Sequence, residues 1–524
     1  MAYTVVQKIN NNYYLYEVTA VWDPEKKNSR QKRKYLGKCD KDGNLIAPKV
    51  SSAPKVKGLG KSYLMYQIAK DMELDKKLIE AFGEDGKALF ATCVNRSTRN
   101  ELPRHSVKVM NDSLIPQMTG IDVDVILRDT QGTIALMERS MPGWDRLFKL
   151  MDKGNTAMVY EIDSLMNLDI LNINANDPRR GLIKFPPMRT FLALSEPPSG
   201  PFYFRIVRGD VKITDILESV ETSIRNLGPR DITFFLGKEV IDEKQAAELA
   251  NSGVQFLKMI PEDSEFGKEI ISRFEEELIH KGASVIFNNS LKKVLERQIV
   301  LGDIRCRVII ILNEALRLSQ MDAFYRSLKA YDDFFQDNKS RKANRNLSFD
   351  IEDVSNLYKE VKDNEGRTKL LRDESMVHEM EISFGKKVII TNSDEPWDIL
   401  LSKFYRHDRF INEIDYFRNE LQDGSMLMGS LGAAVSTFLN EFLAISIRTH
   451  LSQKLGLNFM QASQNYIDVL KTVSNIYAVN IEGKWYISEI SPEQAAVFEK
   501  TGIPLPTVEF VEQCVENYSR KKSI

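Results

Sequence analysis

The chain has 524 residues, of which 43% are hydrophobic, so it is long and apolar enough for several domains with substantial cores. Its net charge of −2 argues against a dedicated DNA coat, and no apolar run approaches the roughly 20 residues of a membrane span. Cys39, Cys93, Cys306 and Cys514 lie far apart without C-x-x-C spacing, so neither a zinc site nor a disulfide scaffold is indicated. The opening MAYTVVQKINNN lacks the apolar core of a signal peptide, and a soluble, cytoplasmic protein is expected.

In chain order, Tyr13 to Trp22 is rich in aromatic and β-branched residues and predicts a strand. Asp23-Pro24 begins a turn, and Arg30 to Leu36 returns as a second strand, completing a β-hairpin. Charge is concentrated here. Residues 1–61 carry 13 Lys/Arg against five Asp/Glu, a net of +8, and seven basic residues lie between Lys26 and Lys38 with no acid among them. Lys26, Lys27, Arg30, Lys32, Arg33 and Lys34 are therefore candidate phosphate contacts, with tyrosines interleaved for sugar or base packing. Residues 45–60 are rich in Pro, Ser and Gly and predict a linker.

From Lys61 to Leu150 the apolar spacing turns helical, which predicts a small helical domain. Gly58-Leu59-Gly60-Lys61-Ser62 superficially evokes a phosphate loop, but the first glycine of that motif is replaced by Lys55. Strands and helices alternate from about 157 to 261. Ile213 to Leu227 is an amphipathic helix stopped by Gly228-Pro229, and Phe234 to Leu236 is a short apolar strand. Residues 262–384 interrupt this pattern with charged helices, such as Lys268 to Lys281 and Gln320 to Gln336. Val308 to Leu312 is a buried strand or the start of a helix, and 337–349 predicts a polar surface loop. Trp397 to Leu421 predicts a helix, and Gly432 to Leu443 a buried one with small residues for close packing. The five histidines show no metal-ligand spacing.

Three segments carry the chemistry: Met158-Val159-Tyr160-Glu161-Ile162-Asp163-Ser164, then Ile232 to Glu239 (ITFFLGKE), then Tyr405 to Leu421 (YRHDRFINEIDYFRNEL). In order and spacing they resemble the three catalytic segments of DDE transposases from prokaryotic insertion sequences. Flanking stretches extend the resemblance over nearly the whole chain: Tyr14 to Gly37, Phe185 to Leu194, Pro201 to Asp210, Ala246 to Pro261, Gly385 to Asn392 and Lys471 to Ile503. The resemblance implies an α/β (α+β overall) protein with an RNase H-like mixed-sheet core, a large insertion, an N-terminal β-hairpin and a helical DNA-binding region. The expected boundaries are 1–60 hairpin and linker, 61–150 helical DNA-binding domain, 151–261 first part of the core, 262–384 insertion, 385–450 second part of the core, and 451–524 C-terminal module. It also implies double-stranded DNA of element ends as partner, a homodimer on that DNA, and Arg406, Arg409 and Arg418 as backbone contacts.

The departures from the family pattern fall on its acids. Where the family has Asp, Asp and Glu, this chain has Glu161, Gly237 and Asn412. Strand transfer uses two divalent ions about 3.5–4 Å apart, and Mg²⁺ demands hard anionic oxygens. Gly237 has no side chain to ligate and Asn412 offers only a neutral oxygen. The expected function is therefore a transposase-like DNA-binding protein without catalysis. Two alternatives stay open. One is an active transposase with Mg²⁺ on displaced carboxylates, in which Asp163 and Glu239 share a strand face with Glu161 and Gly237, Asp415 shares a helix face with Asn412, and Glu161 and Asp163 are metal ligands. The other is a protein-interaction scaffold without DNA affinity.

Overall fold

The computed structural model describes residues 2–9, 12–23, 28–45, 54–98, 106–123, 127, 130–166, 169–172, 181–184, 188–196, 200–237, 241–287, 290–336, 354, 356–362, 368–405, 431–456 and 462–522. They divide into two compact units, Met1–Val56 with Val479–Tyr486, and Lys57–Ala478 with Ile487–Ile524.

The first unit is built on an antiparallel sheet of three strands, not the two of a hairpin: β1 (Ala2–Ile9), β2 (Asn12–Asp23) and β3 (Asn28–Cys39), in that order. The additional strand is β1, whose Ile9 pairs with Asn12. The register sets Tyr3, Val18 and Arg33 in one row across the sheet, and Val5, Tyr16 and Tyr35 in another. A bulge beside Leu15/Tyr16 then brings Lys38 opposite Tyr14. Gly37 sits in that bulge with φ +150, and a Cβ there would come within 2.9 Å of the Leu45 side chain, so glycine is needed both for the backbone and for the space.

The expected linker at 45–60 is shorter than its composition suggested, because Lys55–Gly58 forms β4 and a helix begins at Gly60. The phosphate-loop look-alike is spent on structure. Leu59 and Gly60 N–H both donate to the Ile476 carbonyl (2.9 and 3.0 Å), and Gly58 N–H donates to Asp112 (2.9 Å). A Cβ on Gly60 would lie 1.9 Å from the Val473 carbonyl oxygen. No N–H of these three glycine-loop residues is left to cradle a phosphate.

The second unit opens with α1 (Gly60–Asp71), α2 (Leu74–Phe82), α3 (Glu84–Ser97), α4 (Ser106–Asn111), α5 (Ile115–Thr119), α6 (Thr130–Ser140) and α7 (Trp144–Leu150), the helical region read from periodicity. The strands that follow are β5 (Thr156–Met166), the small hairpin β6 (Asp169–Asn172) and β7 (Gly181–Lys184), β8 (Met188–Glu196) and β9 (Gly200–Arg208). Next come α8 (Ile213–Leu227), β10 (Asp231–Leu236), α9 (Glu243–Asn251) and β11 (Gln255–Ile260). α8 buries Ile216, Leu217, Val220 and Ile224, one stripe at helical spacing, and stops at Gly228 with φ +129. α9 starts on a capping box in which Asp242 and Gln245 satisfy each other's backbone N–H.

The 262–384 region does not stand apart from this sheet. α10 (Glu265–Lys281) leads into β12 (Ala283–Phe287), β13 (Ser290–Leu301) and β14 (Ile304–Asn313), followed by α11 (Glu314–Gln336), the hairpin β15 (Tyr358–Lys362) and β16 (Thr368–Arg372), α12 (Glu374–Glu381) and β17 (Lys386–Thr391). One sheet of nine strands results, in the order β12-β13-β14-β17-β11-β10-β5-β8-β9. β5, β10 and β11 are parallel, β5-β8-β9 is an antiparallel meander, and β17, β14, β13 and β12 continue antiparallel from β11. Val308 to Leu312 is buried at the centre of β14, a strand and not a helix start. The expected loop 337–349 lies outside the described residues.

After residues 397–405, which are helical, the chain is described again at α13 (Leu431–Lys454), followed by α14 (Ala462–Thr472), the hairpin β18 (Tyr477–Ile481) and β19 (Lys484–Ile487), α15 (Pro492–Thr501) and α16 (Val508–Lys522). α13 is the buried helix expected over 432–443, extended at its C-terminal end. Its Phe438 and Phe442 pack with Phe204 of β9 (ring centroids 5.0 and 5.1 Å) and Phe442 with Phe148 of α7 (5.9 Å). These aromatic contacts join the helical layer to the sheet. Among the described residues no helix is long and apolar enough to cross a membrane.

Candidate functional site

The parallel strands β5, β10 and β11 end side by side, and in open α/β sheets ligands gather outside such carboxyl ends. Two of the three aligned positions meet there. The Glu161 carboxylate, at the end of the β5–β10 pairing, accepts a hydrogen bond from the Gly237 backbone N–H at 3.1 Å. Glu161 is buried, 3% exposed.

The ligands of that carboxylate come from the protein itself. Arg189 of β8, also buried, donates from Nη1 to Glu161 Oε1 at 3.0 Å. Lys258 of β11, 3% exposed, donates from Nζ to the Gly237 carbonyl. The register explains the convergence: Lys258 pairs with Leu236, the residue before Gly237, and Phe191, two residues from Arg189 on the same face of β8, pairs with Glu161. A buried carboxylate needs a counter-charge. Here a guanidinium, a backbone N–H and a neighbouring ammonium supply it. A cavity of about 190 Å³ adjoins the cluster, lined in part by Lys212, Thr214, Gln245 and Glu248. Lys212 and Glu248 form an ion pair across it at 3.2 Å.

The third segment is described only to its first residue. Tyr160, the neighbour of Glu161, stacks on Phe235 (4.8 Å, 22°), and its hydroxyl donates to the Lys403 carbonyl at 3.0 Å. The helical residues 397–405 therefore run in beside β5. Tyr405 is held among Phe287 (5.5 Å), Lys292 (4.9 Å from its ring) and Lys387 (5.2 Å). Burial, with Lys387 nearby, holds the Lys292 ammonium below the usual lysine range. Asn412, Asp415, Arg406, Arg409 and Arg418 lie outside the described residues, as does Glu239. Asp163 lies in β5, but its side chain is outside the described residues.

The basic N-terminal candidates divide. Lys26 and Lys27 lie outside the described residues, and Arg30 and Lys32 are in β3 with side chains outside them. Arg33 and Lys34 are both exposed, but as strand neighbours they occupy opposite faces, Arg33 opposite Val18 and Lys34 opposite Glu17. Arg33 and Lys34 therefore do not share one phosphate-binding row.

The described residues do not fit a pair of Mg²⁺ ions. Mg²⁺ asks for several hard, anionic oxygens in an octahedron. Only one carboxylate, Glu161, stands among the described groups of the cluster, and Arg189 and Gly237 occupy both its oxygens. No group of three or more His, Cys, Asp or Glu residues that could hold a metal occurs among the described residues. The residues that sequence reasoning missed are Arg189 and Lys258. Lys258 did leave a signal, since it is the one charge inside the otherwise apolar run Phe256 to Ile260. Among known proteins, no family model matches the chain and no curated protein matches it.

Proposed function

We propose that this protein is a DNA-binding relative of the DDE transposases, with an RNase H-like core whose nuclease centre has been replaced by an internal ion cluster. The order β9-β8-β5-β10-β11, an antiparallel meander followed by two parallel strands each reached through a helix, supports an RNase H-like core. The meeting of Glu161 and Gly237 supports the alignment that pairs them as the first two acidic positions.

The observation that carries the reading is the occupation of Glu161 by Arg189 and the Gly237 N–H, with the Lys258 ammonium bound to the Gly237 carbonyl. Two fixed monovalent cations outweigh the single carboxylate by one charge, which leaves no negative potential to attract a metal ion. Neither is a Lewis acid with an open coordination position, so they can neither lower the pKa of a bound water nor bridge attacking and leaving oxygens as paired metal ions do. Phosphodiester chemistry loses its centre, while DNA binding, which rests on surface cations, does not.

The test is a cleavage and strand-transfer assay of the purified full chain with Mg²⁺ or Mn²⁺ on duplexes from the ends of its gene, run beside a titration of binding against salt. The expected result is salt-dependent binding without strand cleavage. Cleavage that disappears in Glu161→Gln sinks the reading, and so does an absence of DNA affinity at low salt.

A further inference from the structure

The N-terminal sheet has two unlike faces. On one, Glu17 stands opposite Lys34, a single tyrosine, Tyr13, already carries the Lys8 ammonium over its ring, and Leu45 packs against Gly37. The other carries four tyrosines and two cations: Tyr3, Tyr14, Tyr16, Tyr35, Arg33 and Lys38, set on that side by the register of the three strands. Tyr35 lies 5.5 Å from Tyr16 and 6.1 Å from Tyr14, yet remains 55% exposed, and Tyr3 is 50% exposed. Arg33 and Lys38 are exposed as well.

We propose that this face binds single-stranded DNA, stacking bases on Tyr35 and Tyr3 and holding the backbone with Arg33 and Lys38. Exposed rings are costly to leave in water, and flat rings beside cations match the two surfaces of a nucleic acid strand, its base planes and its phosphates. In a duplex the base planes are already stacked on their neighbours, so rings on an open sheet gain nothing from it, whereas an unpaired strand offers both. Charge complementarity points the same way, since residues 1–61 carry a net of +8. The inference deepens the DNA-binding reading above but does not depend on the Glu161 cluster.

The test is fluorescence anisotropy of the full chain with a labelled oligothymidine of about 20 nucleotides, longer than one such site needs, and with a duplex of equal length. The oligothymidine is expected to bind through Tyr35. Tyr35→Ala should weaken it roughly tenfold, the loss of one base stack, and Tyr35→Trp should retain it, with thermal melts confirming that both variants are folded. Lys34→Ala, on the other face, should change affinity less than threefold. An affinity unmoved by Tyr35→Ala, or reduced equally by Lys34→Ala, overturns the inference. Binding of the duplex but not of the oligothymidine overturns it while leaving the DNA-binding reading in place. Binding of neither overturns both.

Discussion

Among its described residues the second unit buries two glutamates, and each is held by arginine, but they sit in different surroundings. Glu441 of α13, 1% exposed, takes Arg96 Nε at 2.6 Å and Arg448 Nη1 at 3.0 Å. Arg448 goes on to donate to the carbonyls of Ser97 (3.2 Å) and Arg96 (2.6 Å), the last residues of α3. Those carbonyls have no partner within their own helix, and a cation there also suits the helix dipole. The Glu441 cluster is thus a staple between two helices. The Glu161 cluster lies instead at the ends of parallel strands, beside a cavity and bonded to the Gly237 N–H. Equal charge content therefore does not mean equal surroundings: one cluster ties a helix end, the other stands at the ends of parallel strands beside a cavity.

Breaking the staple should have the largest effect. Glu441→Gln leaves the buried Arg448 and the half-buried Arg96 without their carboxylate, and removing one partner of a buried pair costs about 3–5 kcal/mol. Chemical denaturation should show this loss. Glu161→Gln should cost less, roughly 2–3 kcal/mol, because the amide still accepts from Gly237 N–H and the adjoining cavity admits water to Arg189 and Lys258. A larger loss for Glu161→Gln than for Glu441→Gln would contradict the contrast. Its duplex affinity should match the wild type within twofold.

A double-mutant cycle sharpens the comparison. If Lys258 and Glu161 form one unit through Gly237, then Glu161→Gln with Lys258→Met should cost about 1–2 kcal/mol less than the sum of the single changes. Simple addition would mean that Lys258 acts on its own.

An exposed cluster sets the lower end of the scale. Asp71 accepts from His450 Nε2 (2.8 Å) and pairs with Lys454 (3.0 Å), and these partners hold its carboxyl below the usual aspartate range. A depressed folded pKa stabilises the protein above the ordinary aspartate value, and the benefit disappears as pH falls through the lowered one. With Asp71 43% exposed, Asp71→Asn should cost at most about 1 kcal/mol at neutral pH and nothing once the carboxyl is protonated. Thermal melts from pH 7 to pH 3 would check both.

How much of this was legible in the sequence depended on periodicity. α8 was read to the residue because its apolar stripe and its Gly228 stop agree. β12 and β13 were missed, and β14 was read only as a buried strand or the start of a helix, because the charges of β13 come in pairs, Lys292-Lys293 and Glu296-Arg297, and hide the period of a strand. The signal was the turn: Leu301 pairs with Ile304 across Gly302-Asp303, and Gly302 has φ +59, the mark of a two-residue hairpin between apolar runs. At the site, Glu161 and Gly237 were named from the sequence because local segments carry them. It could not find Arg189 and Lys258, which reach the cluster only through the register of β8 and β11, a long-range property that no local pattern encodes.

The central claim, that side-chain cations have taken over the position of metal ions, is tested most directly by a crystal soaked in Mn²⁺ and measured at the manganese absorption edge. The account predicts Arg189 still on the Glu161 carboxylate and no anomalous peak beside it. A peak at coordination distance from that carboxylate, about 2.1 Å for the Mg²⁺ it mimics, with Arg189 displaced, would contradict it.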